Sequence, residues 1–274
     1  MVKKLRLKFL LASLVVFIAG GVNVQAESFN VKNDKSLRNA ICNAKSNDTI
    51  ILDNNITLKE NLNIDKSVVL DLNQKTLVVS GDKSSIVIGK KEQKNKKERA
   101  MNILKLKFKE EDKFNYDDNI NIVIKNGIIS HSNSLRGKNG KKDSWTDFCG
   151  KNGGSPNETI KLESGKLALN DIQINAGNGG NGGNGAYQAS VHFIFGGGIG
   201  GRGGAAGNGG DAIKILRKTC SIDLGDNVVL KAGKAGKAGK DSEANPNYWV
   251  YKSYTLKNSA KAKNGQKINK VFKQ

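Results

Sequence analysis

Apolar residues recur in short alternating pairs between positions 50 and 70, with one pair starting every six residues. The pairs are Ile50/Leu52, Ile56/Leu58, Leu62/Ile64 and Val68/Leu70. Alternation of one apolar and one polar residue is typical of a strand with one buried face. Short strands at a fixed period cannot bury that face alone, so the pattern predicts coils that stack into a β-solenoid. An antiparallel sandwich, which needs hairpin turns between longer strands, is the alternative.

A longer period emerges when three six-residue steps are combined. On a grid of 18 positions, the segments 49–53, 67–71 and 85–89 are near copies, and 121–124 falls two further periods along. The grid predicts that these segments are equivalent strands of successive coils.

The segment before the strands has helical periodicity. Residues 36–45 place four apolar side chains on one face, namely Leu37, Ala40, Ile41 and Ala44. Asp34 or Ser36 is available as the N-cap. We therefore predict one short helix that caps the N-terminal end of the strands.

Three stretches of this region resemble the N-terminal cap and first coils of pectin-lyase-like right-handed parallel β-helix proteins. They are Ser36-Leu37-Arg38-Asn39-Ala40-Ile41, residues 47–52 and residues 64–72, and residues 124–129 resemble a later coil. The resemblance covers about residues 35–130. It implies an all-β, parallel β-helix fold, which lyases, hydrolases and adhesins share. A left-handed hexapeptide helix, whose coils also have 18 residues, is the structural alternative.

Glycine recurs at every third position in three segments between residues 137 and 240. The glycines that define the period are Gly177, Gly180, Gly183, Gly201, Gly204, Gly207, Gly210, Gly233, Gly236 and Gly239. A period of three is that of an extended three-fold helix, and glycine clears one edge of it for close packing. Because each run adjoins a strand-like segment, we expect ordered arms that leave the solenoid and stack. Flexible linkers are the alternative. Such arms resemble the polyglycine bundles of some phage adhesins and glycine-rich surface proteins.

The first 26 residues have the organisation of a cleavable secretory signal peptide. Four basic residues precede the apolar run 9–19, and Val24-Gln25-Ala26 supplies the cleavage pattern. The apolar run is shorter than the roughly 20 residues that cross a bilayer. We therefore expect cleavage, a secreted or cell-surface location, and no transmembrane span in the mature chain.

The charge balance narrows the class of partner. Without the four basic residues of the signal peptide, 41 basic residues face 25 acidic ones, a net charge of +16. This charge favours an anionic polysaccharide or cell-wall polymer as partner, whereas export argues against nucleic acid. A lysine-rich surface that only keeps the protein soluble is the alternative.

These patterns predict four parts in the chain. Following the signal peptide, residues 27–136 hold the cap and coils, 137–240 hold coils with glycine arms, and 241–274 form a lysine-rich tail. Residues 90–118 interrupt the strand pattern and predict a basic loop that leaves the solenoid, with a disordered charge run as the alternative. Candidate binding residues in the loop and tail are Lys90, Lys91, Lys94, Lys96, Lys97, Arg99, Tyr248, Trp249 and Tyr251.

Residues with catalytic chemistry are few. There is no nucleophile elbow, zinc-ligand spacing or P-loop. His192 lies in an apolar segment that suggests packing, and His131 could face solvent. Asp53 and Asp71 would stack on one side of a solenoid, but aspartates at coil ends more often fix turns.

The cysteines give no indication of a metal site either. Their spacings match no metal motif, and an odd number allows at most one internal disulfide. Cys42 and Cys220 lie in apolar-patterned segments and are expected to be buried.

The sequence thus favours an adhesin-like protein that binds an anionic polymer or glycan, with no catalytic residue, metal or cofactor. A polysaccharide lyase or glycoside hydrolase on the same scaffold is one alternative. A structural module that self-associates through its glycine arms is another.

Overall fold

The computed structural model describes residues 26–89, 91–93, 114–141, 147, 149–188, 199–242 and 262–270. They form a β-rich structure with parallel sheets and one helix, α1 (Asp34–Asn43). The strands are β1 (Ser28–Val31), β2 (Thr49–Leu52), β3 (Ile56–Leu58), β4 (Leu62–Ile64), β5 (Val69–Asp71), β6 (Thr76–Val79), β7 (Ile86–Ile88), β8 (Lys91–Gln93), β9 (Phe114–Tyr116), β10 (Asn121–His131), β11 (Ile160–Leu162), β12 (Lys166–Asn175), β13 (Tyr187–Gln188), β14 (Ile199–Gly200), β15 (Ile213–Ile215), β16 (Ser221–Leu224), β17 (Val229–Lys231) and β18 (Ile268–Lys270). Over these described ranges, the expected all-β class with one short helix is confirmed. No helix in the described part of the chain is long and apolar enough to cross a membrane.

Helix α1 begins two residues earlier than its periodicity predicts. The reason is the N-cap, which is Asn33 rather than Asp34 or Ser36. The Asn33 side chain accepts a hydrogen bond from the Ser36 backbone N–H at 2.9 Å, and the Ser36 hydroxyl oxygen accepts one from the Asn33 N–H at 3.1 Å. This reciprocal capping box fixes the start of the helix. The predicted apolar face is confirmed, since all four of its residues are buried.

Two sheets contain nearly all of the strands, and every pairing within them is parallel. The first runs β1-β2-β5-β10-β12-β16, and in addition β3 pairs with β6, β6 with β10, and β17 with β12. The second runs β4-β7-β11-β15-β18. β10 and β12 each pair with two successive short strands: β10 with β5 and then β6, and β12 with β16 and then β17. A left-handed residue separates the two halves of each long strand, Asn126 (φ 60°) in β10 and Asp171 (φ 48°) in β12.

The predicted apolar pairs form the core. In the first sheet, Ile50, Leu70, Ile124 and Leu169 are register partners on four neighbouring strands, and all are fully buried. The inward residues of the second sheet belong to the same hydrophobic cluster. Parallel, in-register pairing therefore converts the short sequence pattern into a continuous apolar column.

The 18-residue grid is wrong for two of its strands. Ile50 pairs with Leu70, twenty positions along, rather than with Val68. β7 belongs to the second sheet, where Ile86 pairs with Leu62 of β4. The connections between strands differ in length, which a fixed grid does not allow. Leu70 and Leu77 are seven positions apart across the left-handed residues Asn73 (φ 46°) and Gln74 (φ 62°), whereas their partners Ile50 and Ile56 are six apart. The segment 121–124, in contrast, does pair with β5, as the grid predicts.

The two ends of the predicted basic loop form an antiparallel pair of strands, and residues 94–113 between them lie outside the described ranges. β8 pairs with β9, with Lys91 opposite Tyr116. Nearby, the Arg217 guanidinium lies 4.3 Å from the centre of the Tyr116 ring and 2.7 Å from the Asp118 carboxylate. These contacts join the end of the loop to a segment a hundred residues further along the chain.

The N-terminal cap depends on one buried carboxylate. Asp48 is 1% exposed, and its two oxygens accept hydrogen bonds from the backbone N–H groups of Glu27 (2.8 Å) and Lys45 (2.7 Å). These hydrogen bonds favour the charged form and hold the pKa of Asp48 below its ordinary value. The stabilisation is therefore present above the pKa of the unfolded chain and is lost as the pH falls through the lower pKa of the folded state.

Substituting Asp48→Asn tests this role. An amide can accept only one of the two bonds through an oxygen, so the free energy of unfolding in urea should fall at pH 7. The difference from the wild type should shrink below about pH 4, where unfolded aspartate becomes protonated. An equal deficit at pH 7 and pH 3 would show that the charge of Asp48 does not contribute.

Candidate functional surface on the glycine arms

Six extended segments rich in glycine connect the two sheets. Three out-arms continue strands of the first sheet: residues 132–141 follow β10, 176–186 follow β12, and 232–242 follow β17. Three back-arms lead into strands of the second sheet: residues 149–158 precede β11, 200–211 precede β15, and 262–266 precede β18. We call these six segments together the arm stack.

Neighbouring out-arms run parallel and hydrogen-bond at every third residue. The N–H groups of Gly179, Gly182 and Gly185 donate to the carbonyl oxygens of Lys234, Lys237 and Lys240 at 2.8–2.9 Å. The first and second out-arms repeat the arrangement, with Gly137 and Gly140 donating to Asn181 and Asn184. The spacing matches that of an extended three-fold helix.

Out-arms and back-arms bond in antiparallel fashion. The N–H groups of Gly204, Gly207 and Gly210 donate to the carbonyl oxygens of Gly183, Gly180 and Gly177 at 2.7–2.9 Å. The same back-arm glycines accept from the last out-arm, where the donors are Gly239, Gly236 and Gly233. Each arm thus has hydrogen-bonded neighbours on more than one side, and the described arms form one hydrogen-bonded stack.

The glycines are required because the arms approach closely. A Cβ atom on Gly180 would lie 2.0 Å from the Leu135 carbonyl oxygen, and one on Gly204 would lie 1.9 Å from that of Lys151. None of the described arm glycines has the left-handed φ that favours glycine elsewhere. What the arm stack needs is the missing side chain, rather than unusual backbone freedom.

The position between the packed glycines carries asparagine in the second out-arm. The Asn178, Asn181 and Asn184 Oδ1 atoms accept hydrogen bonds from the backbone N–H groups of the last out-arm at 2.7–3.0 Å. In the first out-arm, Oδ1 of Asn133 and Asn139 likewise accepts a backbone N–H of the second out-arm, from Asn178 and Asn184, each at 2.9 Å. Because only Oδ1 can accept an N–H, the Nδ2 group of each side chain remains a donor.

Basic residues occupy the equivalent positions elsewhere on the out-arms. Lys231 pairs with Asn175 in register, and the series continues at every third residue through Lys234, Lys237 and Lys240. All four lysines are exposed, and none forms an ion pair with a described residue. In an extended three-fold helix, successive lysines are about 9 Å apart. Arg136 takes the corresponding place on the first out-arm and is also exposed.

Together these residues form a surface on which every side chain can donate a hydrogen bond. This donor face comprises Asn133, Arg136, Asn139, Asn178, Asn181, Asn184, Lys231, Lys234, Lys237 and Lys240. It carries five positive charges and no carboxylate. Its chemistry suits ligands rich in acceptor oxygens and negative charge.

The back-arms have a different character. Asn152 and Asn208 again accept backbone N–H groups, those of Ala205 and Lys263. Closer to the strands, however, the back-arms bear two acidic residues. Asp211 accepts the Gln266 N–H at 2.7 Å, and Glu158 lies 3.5 Å from the Lys214 ammonium. The last out-arm also has one acidic residue, Asp241, whose Oδ1 accepts the Gly203 N–H at 2.7 Å, but Asp241 is not part of the donor face.

The residues singled out in the sequence fall into two groups. All ten period-three glycines lie in the arm stack. Of the candidate binding residues, Lys91 lies in β8. The others lie outside the described ranges: Lys90, Lys94, Lys96, Lys97, Arg99, Tyr248, Trp249 and Tyr251. The signal peptide before Ala26 and His192 also lie outside them.

His131 does not face solvent, and that expectation is wrong. It ends β10 at an inward position and is only 3% exposed. Its Nδ1 lies 2.8 Å from the Ser132 carbonyl oxygen and its Nε2 lies 3.0 Å from that of Ser84. The imidazole therefore joins the first out-arm to the turn before β7.

Asp71 has contacts of the turn-fixing kind expected for an aspartate at this position. Its carboxylate accepts the Asn73 backbone N–H at 2.9 Å and the Asn126 Nδ2 group at 3.1 Å, and it lies 3.5 Å from the Lys125 ammonium. These contacts hold the bend between strands.

The three cysteines are free thiols. Cys42 is exposed, so the expectation that it is buried is wrong; it lies on α1 opposite the buried face. Cys220 is half-buried, and burial raises the pKa of its thiol. Within the described ranges, no three His, Cys, Asp or Glu side chains form a group that could hold a metal ion.

No protein-family model, curated protein or solved structure matches this chain. Its function is therefore inferred from the chemistry of the donor face.

Proposed function

We propose that this protein is a secreted or cell-surface binding protein for an anionic polymer, and that its strands wind into a β-solenoid from which the arm stack projects. The pairing supports such winding, because the consecutive strands β2, β3 and β4 pair in parallel with β5, β6 and β7. This is the relation expected between successive coils. The resemblance to pectin-lyase-like β-helix proteins is one of fold, and the proposed binding function does not require their catalytic activity.

The row of four lysines that begins at the end of β17 and continues along the last out-arm carries the proposal. The backbone N–H groups of Lys234, Lys237 and Lys240 are fixed by asparagine oxygens, so the lysines are presented at a set spacing. Neighbouring lysines are separated by about 9 Å along the backbone. This separation is close to the Debye length of about 8 Å at physiological ionic strength, so salt does not fully screen the repulsion between their ammonium groups. A polymer with repeated negative charges relieves that repulsion and contacts several lysines at once.

The test is a variant in which all four lysines become glutamine, K231Q/K234Q/K237Q/K240Q. With about 0.5 kcal/mol for each exposed ion pair, its affinity for polygalacturonate should fall about 30-fold at 0.15 M salt. Titration calorimetry measures the affinity, and the salt dependence of binding should become less steep.

A matched control removes four exposed lysines from the cap and turns, K32Q/K35Q/K59Q/K83Q, and changes the net charge equally. It should bind within about twofold of the wild type, because net charge alone contributes little beyond a Debye length. The proposed function fails if the out-arm variant binds as well as this control.

A further inference from the structure

We propose that the donor face recognises uncharged oxygens together with negative charges, and that its ligand is an acidic polysaccharide rather than any polyanion. The inference rests on the proposed function and adds the class of ligand. It follows from the asparagines, which the lysine row alone does not explain.

Hydrogen bonds fix the orientation of the side-chain amides of the second out-arm. Each Oδ1 of Asn178, Asn181 and Asn184 accepts a backbone N–H of the neighbouring arm. Reversing such an amide would place Nδ2 against an N–H donor and break the hydrogen bond. The side chains are exposed or half-buried, and their Nδ2 groups have no partner among the described residues. The arm stack thus fixes donors that point away from its own backbone.

The middle of three rows across the out-arms has a cation on each side of an amide. The register that pairs Asn133 with Asn178 and Asn139 with Asn184 places Arg136 level with Asn181. Asn181 in turn bonds to Lys237. A guanidinium, an amide and an ammonium group therefore lie in one line, and the rows on either side end in Lys234 and Lys240.

A polysaccharide bearing carboxylates matches this line better than a simple polyanion does. Its hydroxyl, ring and glycosidic oxygens accept hydrogen bonds from neutral amides, while its carboxylates pair with the cations. Because the amides are already held in place, little side-chain entropy is lost on binding. Hydrogen bonds to neutral groups are not screened by salt, so part of the affinity should persist at high ionic strength.

The experiment compares polygalacturonate with inorganic polyphosphate of similar length, each at 0.15 M and 0.5 M salt. The variant N178S/N181S/N184S keeps a hydroxyl oxygen that can accept the backbone N–H, as Ser155 does for Asn208 at 2.9 Å. It replaces each Nδ2 group by a single O–H that lies one bond closer to the backbone, so the donor no longer occupies the position of the amide. We expect its affinity for polygalacturonate to fall at least tenfold, which corresponds to about twofold for each of the three hydrogen bonds. Polyphosphate binding should not change.

The control variant is N152S/N208S/N264S. These back-arm asparagines also accept backbone N–H groups of neighbouring arms, so the control places the same demand on the arm stack. It should retain polygalacturonate binding, and matching thermal unfolding of the two variants shows that both keep the fold.

The outcomes separate the two levels of the proposal. If polygalacturonate and polyphosphate bind equally and both are lost at 0.5 M salt, or if the out-arm serine variant binds like its control, the inference is overturned while the proposed function stands. If neither polymer binds the wild-type protein, both are overturned.

Discussion

Substituting Gly180→Ala should disrupt the arm stack while leaving the sheets folded. The new Cβ would meet the Leu135 carbonyl oxygen at 2.0 Å and the Gly154 backbone nitrogen at 3.0 Å. Both are main-chain atoms of neighbouring arms, so a side-chain rotation cannot relieve the contact. We expect a cost of about 3 kcal/mol, at the upper end for overpacked sites. Hydrogen exchange should show loss of protection at Gly204, Gly207 and Gly210, whose N–H groups bond to the same out-arm.

Lys237→Ala is the matched control, since it also places alanine in an out-arm. Lys237 is exposed, and its backbone N–H keeps its bond to Asn181. Its arm amides should stay as protected as in the wild type. Equal protection in Gly180→Ala would mean that the arms do not depend on close backbone approach.

Substituting Ile124→Ala should give the largest loss of stability in the sheets. Ile124 is fully buried and lies between Leu70 and Leu169 on the two neighbouring strands. Removing three carbons leaves a cavity that main chains paired on both sides cannot readily close. We expect a loss of about 4 kcal/mol in the free energy of unfolding, measured in urea.

The control for this substitution lies in the same strand. Ile128 is 37% exposed on the outer face of β10, and Ile128→Ala removes the same atoms. It should cost about 1 kcal/mol or less. Similar losses for the two variants would contradict the assignment of Ile124 to the core.

The local pattern of the sequence predicted the strands well and their pairing less well. Alternation identified Ile50, Ile56, Leu62 and their partners as inward residues, because burial of one face follows from a period of two. The register depends instead on the length of each turn. That length reflects left-handed residues such as Asn73 and Gln74 and the extra positions before β7, which leave no apolar signal.

The donor face was harder to foresee than the arms. Period-three glycine indicated extended segments, but the role of each asparagine depends on a partner 45 or 56 positions away. Only the pairing of the arms shows that Oδ1 of each asparagine accepts a backbone N–H and that Nδ2 has no partner among the described residues. The lysine series at 231, 234, 237 and 240 was visible in the sequence, yet its alignment with the asparagines of the preceding out-arm was not.

Hydrogen bonds at every third residue also restrict how this protein can change in length. Inserting or deleting one residue within an out-arm would turn an asparagine or lysine toward a neighbouring main chain, where only glycine fits. A change of three residues keeps the phase and moves the tip by about 9 Å. Because each out-arm bonds to neighbouring arms, an altered triplet count in one arm leaves unpaired backbone groups unless its neighbours change as well. Length variation in related sequences should therefore occur in multiples of three and together in adjacent arms.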